Sequence, residues 1–268
     1  MTEASASLPL KLLRVCRLAL HIALGVLTTA LILPRLDQAM RQRRILQWSR
    51  KLLQILGIQV IVHGEIPAAN VRACLFVANH VSWIDIWALK QLHPMQFIAK
   101  AEIRDWPVIG WLAHQVGTLF IERTRRHDTG RMVKIAEQAL RNGECLCFFP
   151  EGTTTDGSHL LPFKPGLMQA AINAGGTVIP LAIRYPRADG SINTAVAYHG
   201  DITMLQSFLA VLNRRETRVE LHFTGKIVAT NVERRELADQ ARRAIASLLG
   251  PAARTAPDTT CGPQDAAR

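Results

Sequence analysis

Residues 74–92 read CLFVANHVSWIDIWALKQL, and their reading decides the fold. Residues 74–78 are wholly apolar and short, the signature of a strand buried on both faces. Asn79, His80 and Asp85 then interrupt the apolar pattern, and residues 87–92 read as a helix stopped by His93-Pro94. A buried strand that hands over to polar residues and then a helix is the opening half of a β-α unit.

The same alternation continues outward. Residues 58–63 (IQVIVH), 96–99 (QFIA), 118–121, 145–149 and 177–183 read as strands, and residues 219–228 as a further strand broken at Gly225. Between them, residues 107–115, 128–141, 166–174 and 233–249 carry helical signals. Met132, Ile135, Ala136, Ala139 and Leu140 recur on one face of the second of these, which stops at Asn142-Gly143. The pattern predicts an α/β domain with a mixed, mostly parallel sheet flanked by helices, over residues 58–250. Residues 251–268 are rich in Ala, Pro, Thr and Asp and read as a disordered tail.

Residues 1–57 are different. They hold Lys11, Arg14, Arg17, Arg35, Arg41, Arg43, Arg44, Arg50 and Lys51 against Glu3 and Asp37, which is +7 of the chain's formal +11. The remainder is nearly balanced, so the basic character is an N-terminal property. Residues 18–34 (LALHIALGVLTTALILP) carry no charge, with basic residues on both sides, and their length sits at the short limit of about 17–25 for a spanning helix. The favoured reading is a membrane-embedded or spanning helix. An interfacial amphipathic helix, a cleaved signal peptide and a buried core helix compete with it. Basic residues at both ends leave orientation open. Residues 40–58 form a basic amphipathic helix ended by Gly57, facing a membrane surface or packed on the core. The expected arrangement is therefore an N-terminal membrane-associated helical pair over 1–57, with anionic bilayer lipid as its partner.

Cys16, Cys74, Cys145, Cys147 and Cys261 have neither disulfide nor zinc spacing and read as reduced thiols. Nucleic acid is excluded as a partner, because no reading motif or basic-aromatic interleaving accompanies the charge. No metal cluster is visible.

Four segments carry chemistry. His80 follows a buried strand, and Asp85 can return to it across a turn and a helix start, holding one ring nitrogen and leaving the other as a base. Phe149-Pro150-Glu151-Gly152-Thr153-Thr154 follows another buried strand and suits a polar ligand close to the backbone; a simple turn competes. Gly117-Thr118-Leu119-Phe120-Ile121-Glu122-Arg123 ends a strand in an arginine suited to phosphate or carboxylate, or in a merely basic loop with Arg125 and Arg126. Residues 178–183 (VIPLAI) form an apolar strand whose proline suggests a sheet edge.

In this order and spacing, the segments resemble the glycerolipid acyltransferase family, of the 1-acylglycerol-3-phosphate acyltransferase type. That family shows Asn-His-x4-Asp, Gly-x-x-Phe-Ile-x-Arg, Phe-Pro-Glu-Gly-Thr and a Val-Ile-Pro-Leu strand, all present between Asn79 and Ile183. The connector KAEIRDWPVIGWLA at 100–113 and Phe163-Lys164-Pro165-Gly166 match as well. The resemblance implies that His80 deprotonates an acceptor hydroxyl while Asp85 orients and charge-stabilises it. The hydroxyl attacks the thioester of acyl-CoA or acyl carrier protein, without an acyl-enzyme on Ser82 and without a cofactor. It further implies that Gly117, Arg123, Glu151, Gly152 and Thr153 bind the lysolipid acceptor, with Lys100 and Lys164 assisting, and that Pro180 shapes the acyl or donor site. The expected product is phosphatidic acid, made at a membrane by a domain facing the cytoplasm, the inner membrane in a bacterium.

One departure qualifies this. Family members that use lysophosphatidic acid commonly carry Arg where this chain has Thr154, and losing a charge-assisted phosphate contact costs about 1.5–3 kcal/mol unless Arg123, Lys164 or Arg184 compensates. Lyso-ornithine lipid or lysophosphatidylcholine are the alternative acceptors, and a catalytically silent lipid-binding relative is the alternative to an enzyme.

Overall fold

The apolar N-terminal helix begins well before its uncharged stretch. The computed structural model describes residues 5–68, 71–121 and 126–249. Helix α1 (Leu8–Leu27) starts at a proline in its first turn and runs through a π turn (Thr28–Ile32) and a 3-10 turn (Leu33–Arg35). The result is a 28-residue apolar helix, Leu8–Arg35, long and apolar enough to cross a membrane. At 1.5 Å per residue it measures about 42 Å. Lys11, Arg14 and Arg17, which the sequence suggests as flanks, lie inside it, because long straight-chain residues are good helix formers. Leu12, Leu20, Leu24, Leu27 and Leu31 are exposed along its length.

This helix is tied to the body near its start and to the next helix at its middle. Near its start, Ala6 N–H donates to the Asn213 carbonyl at 2.8 Å. The buried Arg14 guanidinium donates to the carbonyls of Arg214 and Arg215 at 2.6 and 2.7 Å. Helix α2 (Gln38–Leu56) is capped by Asp37, whose carboxylate accepts from Met40 N–H at 2.8 Å. It runs back along α1. The His21 ring stacks on Trp48 at 4.6 Å, Trp48 Nε1–H donates to the His21 carbonyl at 3.3 Å, and Trp48 in turn meets Trp87 of the body at 5.1 Å. Leu52, Leu53, Ile55 and Leu56 bury the inner face of α2.

The body is one sheet. Its strands are β1 (Ile58–His63), β2 (Cys74–Ala78), β3 (Gln96–Lys100), β4 (Leu119–Ile121), β5 (Leu146–Phe148), β6 (Thr177–Arg184), β7 (Thr217–Phe223) and β8 (Ile227–Val228). Their order is β1-β7-β6-β2-β5-β3-β4, with β8 also on β6. Only β6–β7 and β6–β8 are antiparallel, so the sheet is mixed and mostly parallel, as the β-α alternation predicts. Strands β2 to β6 all run one way and share a C-terminal edge, while β1 and β7 run oppositely.

Helices cover both faces. With α2, α3 (Ile84–Lys90) packs on the face lined by Phe76, Phe97, Cys147, Ile179 and Leu221. After α4 (Ile109–Gln115), α5 (Arg126–Arg141) and α6 (Met168–Ala174) cover the other face with α8 (Arg234–Leu249), over Leu75, Val77, Leu146 and Val178. Between them in sequence, α7 (Met204–Leu212) is an element the periodicity did not announce, although its start carries a complete capping box from Thr203 to Gln206.

Pro180 overturns the expectation of an edge strand. Strand β6 lies inside the sheet, between β2 and the β7–β8 pair. A strand residue points its N–H and C=O the same way, and the Pro180 carbonyl accepts from Thr224 N–H at 3.1 Å, in the gap between β7 and β8. The missing donor falls where the antiparallel ladder is already interrupted. The four described cysteines are free thiols, and Cys261 lies with the C-terminal tail outside the described residues.

The junction between the helical pair and the sheet tolerates no side chain without strain. Gly57 has φ +73°, and a Cβ there would sit 2.0 Å from the Arg14 guanidinium and 3.0 Å from the Arg215 carbonyl. Gly57→Ala is expected to destabilise the fold by roughly 1–3 kcal/mol. Gly130→Ala, in a helix with open space around it, is expected to stabilise by up to about 1 kcal/mol. Thermal unfolding of the detergent-solubilised variants checks the opposite signs.

Candidate active site

The shared C-terminal edge of β2, β5 and β6 holds the constellation. At the end of β2, the Asn79 side chain bridges to β6, accepting from Ile183 N–H at 2.7 Å and donating to its carbonyl at 3.0 Å. This buried amide mimics one more rung of ladder and fixes where the chain leaves the sheet. His80 is the next residue. Its Nδ1 lies 2.8 Å from Asp85 Oδ2.

Asp85 is fully buried in the first turn of α3. Its Oδ2 also accepts from the Val81 and Ser82 amides at 2.8 and 2.9 Å, and its Oδ1 accepts from the Tyr185 hydroxyl at 2.5 Å. Four donors converge on one carboxylate, the arrangement that a buried anion requires. Burial first, and then Asp85, pushes the Tyr185 phenol well above its ordinary value, so it stays a donor. An ionised Asp85 can only accept, so Nδ1 of His80 carries the proton and Nε2 is left as a basic lone pair. The imidazole stacks on Phe149 at 3.8 Å with the planes 6° apart, and its side chain keeps 18% exposure, open to a reacting molecule.

Glu151 follows β5. Its Oε1 accepts from the His80 amide at 2.8 Å and its Oε2 from the Leu161 amide at 3.0 Å. Arg242 of α8 supports that loop by donating to the Leu160 and Leu161 carbonyls. Burial pushes the Glu151 carboxyl up to about 7, helped by Asp85 and opposed by the two amides and Arg242. Both oxygens therefore face protein backbone. Glu151 thus ties the His80 backbone to the loop at Leu161; the sequence reading has it bind the acceptor.

Gly152 has φ +77°, and a Cβ there would lie 2.8 Å from Lys164 Nζ, so the exposed lysine crosses the turn just beyond Glu151. Thr153 is exposed on the same turn. Thr154 turns inward and its hydroxyl donates to the Tyr198 carbonyl. Lys100 ends β3 and reaches this edge by backbone position. Pro180 is level with Val77, one rung inside the edge. Arg123 lies outside the described residues.

Gly117 is not brought to this edge. It precedes β4, with φ +82° against Gln96 at the start of β3, so it sits at the N-terminal end of the parallel strands. Four residue steps, about 13 Å of extended chain, separate it from Ile121 at the C-terminal end of β4. Its role is the turn that closes α4, and adjacency in the motif did not translate into adjacency in space.

Sequence reasoning did not assign roles to Asn79, Phe149, Tyr185 or Arg242. The first two stood within the motifs as residues flanking polar groups. Tyr185 and Arg242 approach from 100 and about 80 residues along the chain and carry no local signal.

Residues 59–184 match the family described as acyltransferase. The chain is 40% identical over 251 residues to the lyso-ornithine lipid O-acyltransferase of Pseudomonas aeruginosa, covering 91% of this chain and 95% of that protein. It is 32% identical over 253 residues to the 1-acyl-sn-glycerol-3-phosphate acyltransferase of Neisseria meningitidis, covering 93% and 97%. The crystal structure of the 1-acyl-sn-glycerophosphate acyltransferase from Thermotoga maritima superposes with a TM-score of 0.67 at 21% identity, over 90% of this chain and 94% of that one, a likeness of fold.

Two outcomes follow from this geometry. Tyr185→Phe removes one donor from the buried anion and is expected to destabilise by about 1.5–3 kcal/mol, read by chemical denaturation. Glu151 has a folded value near 7 against an ordinary 4.5. Its contribution to stability is thus fully present below about pH 4.5 and is lost as pH rises through 7. Glu151→Gln is expected to flatten that component of the thermal midpoint measured against pH.

Proposed function

The chain belongs to the acyltransferase family and is an acyltransferase, and we propose that it moves a fatty acyl group from a thioester donor to the free hydroxyl of lyso-ornithine lipid. The observation that carries the reading is the His80–Asp85 pair at an open sheet edge, with Nδ1 held and Nε2 free.

In this reading, Nε2 of His80 takes the proton of the acceptor hydroxyl as the oxygen attacks the thioester carbonyl of acyl-CoA or acyl carrier protein. The imidazolium that forms is stabilised by Asp85, itself held by Val81, Ser82 and Tyr185. Collapse of the tetrahedral intermediate expels the thiolate, which receives the proton back from Nε2. Ser82 takes no covalent part; it is fully buried. The residues themselves perform the proton transfer, and no cofactor enters a step. Gly152, Thr153 and Lys164 are assigned to the acceptor, with Lys100 and Arg123 by their place in the sequence motifs, and Pro180 to the acyl or donor site.

Position 154 supports the choice of acceptor. The hydroxyl of Thr154 is engaged with the Tyr198 carbonyl, so this position offers no cation to a phosphate. Ornithine carries a carboxylate and an ammonium, which need fewer cations than a phosphate dianion. The relative with 40% identity bears the same acceptor in its name. The second reading, 1-acylglycerol-3-phosphate as acceptor, is favoured by the Neisseria relative and by the cations at Lys100, Arg123 and Lys164.

Residues 1–57 are proposed as the membrane anchor, with 58–250 as the catalytic domain on the cytoplasmic side, where acyl-CoA and carrier protein are found. Exposed leucines along α1 and the basic residues of α2 fit apolar insertion beside anionic lipid, at about 1 kcal/mol per well-placed basic residue.

The test is acyl transfer in mixed micelles with lyso-ornithine lipid and 1-acylglycerol-3-phosphate offered separately. His80→Ala is expected to lose about 10²–10⁴-fold in turnover with its far-ultraviolet circular dichroism unchanged. Undiminished turnover would sink the mechanism. A preference for the phosphate acceptor would reverse the order of the two readings, and Thr154→Arg is expected to move the ratio of rates toward it.

A further inference from the structure

On the sheet face that α8 leaves open, strands β1 and β7 bring together three side chains far from the site just described. The two strands are parallel and in register, with His63 paired to His222 and Ile61 to Glu220. Residues two apart share a face, so His63, Glu220 and His222 project from the same side. The two imidazoles stack at 4.2 Å with their planes 9° apart, and His222 Nε2 lies 3.3 Å from Glu220 Oε2. One ligand atom from each of the three residues lies within 4.8 Å of the others.

We propose that His63, Glu220 and His222 bind a divalent transition-metal ion of the Zn²⁺ type. Two imidazoles and one carboxylate are the donor set such ions take, leaving a position for water. Metal–ligand bonds of about 2.0–2.2 Å place tetrahedral donors about 3.3–3.5 Å apart. The His222–Glu220 pair already has that spacing, and His63 closes the remainder by side-chain rotation, since it stands exposed at the end of the edge strand. Hard ions such as Mg²⁺ and Ca²⁺ prefer oxygen donors and fit poorly.

The neighbouring strand sets the electrostatics. Arg184 of β6 pairs with Glu220 across the antiparallel ladder and so shares this face. Its positive charge opposes a cation, which makes the Glu220 carboxylate the indispensable member. The consequence is mechanical. β1 follows directly from the α2 helix through Gly57, and a metal ion would clasp this edge strand to β7, whose preceding loop carbonyls hold Arg14 of α1. The site is a structural clasp between β1 and β7, at the far end of both strands from their junction with the helical pair and independent of the chemistry at His80. No local pattern announces it, because His63 lies far from Glu220 and His222 along the chain.

The experiment uses the untagged full chain in detergent micelles, stripped with a chelator. Zn²⁺ is titrated calorimetrically, and Co²⁺ serves as the spectroscopic probe. One equivalent of Zn²⁺ is expected to bind, and Co²⁺ is expected to give the intense visible bands of four- or five-coordination. His63→Ala, His222→Ala and Glu220→Gln are each expected to weaken binding by at least roughly tenfold, with Glu220→Gln the most severe. His80→Ala, which removes an accessible imidazole paired to a carboxylate elsewhere on the sheet, is expected to bind Zn²⁺ as the parent does. The proposal is overturned if the parent binds no Zn²⁺, if the His63→Ala/His222→Ala double variant binds as tightly as the parent, or if His80→Ala abolishes binding. Should the double variant fail to fold, the Co²⁺ spectrum of the parent decides, and its absence overturns the site.

Discussion

Asp85 is a carboxylate with no exposure and four donors, and the active edge is organised around satisfying it. An unpaired buried charge costs several kcal/mol, so each donor has to be delivered to a fixed point. Two come from the backbone of the turn between β2 and α3, which sets the shape of that turn. One comes from Tyr185 at the end of β6, so the pairing of β6 with β2 must place that strand's end correctly. The last is the His80 ring, whose free nitrogen is thereby aimed outward. The orientation of the His80 ring is a by-product of solvating a buried anion.

A second layer repeats this logic. Glu151 accepts from the His80 amide and the Leu161 amide, which ties the loop after β5 to the end of β2. Asn79 ties β2 to β6 by the same device with a neutral amide. Two short side chains and one longer one, all buried, therefore lock three strand ends together. The sheet edge stays rigid although none of these strands is long.

Much of this was legible in the residues themselves. Period-two and uninterrupted apolar runs located most of the strands to within a residue or two, because burial on both faces leaves little freedom of composition. The His80–Asp85 offset marked the site, since a turn of five residues can bring those groups together. Other features were not legible. Gly117 stands in one motif with Leu119 to Ile121, yet it lies at the N-terminal end of β4, the end away from His80. The charges at Lys11 to Arg17 looked like a boundary to the apolar helix, yet α1 runs through them, and Arg14 folds back to cap carbonyls of Arg214 and Arg215. Pro180 looked like an edge residue, and its strand is internal because the ladder beside it has a gap.

The sequence by itself determined the β-α alternation, the apolar and basic N-terminus, and the pairing of His80 with Asp85, all written in residues close together. Local spacing and burial chemistry suffice for those. The tertiary structure decided what depends on distant segments. Strand order placed Tyr185 on Asp85, Arg242 beneath the Glu151 loop, and His63 beside Glu220 and His222. The reason is physical. Hydrogen bonds and packing between strands are paid for by the whole sheet, and no stretch of twenty residues records which strand will lie beside it.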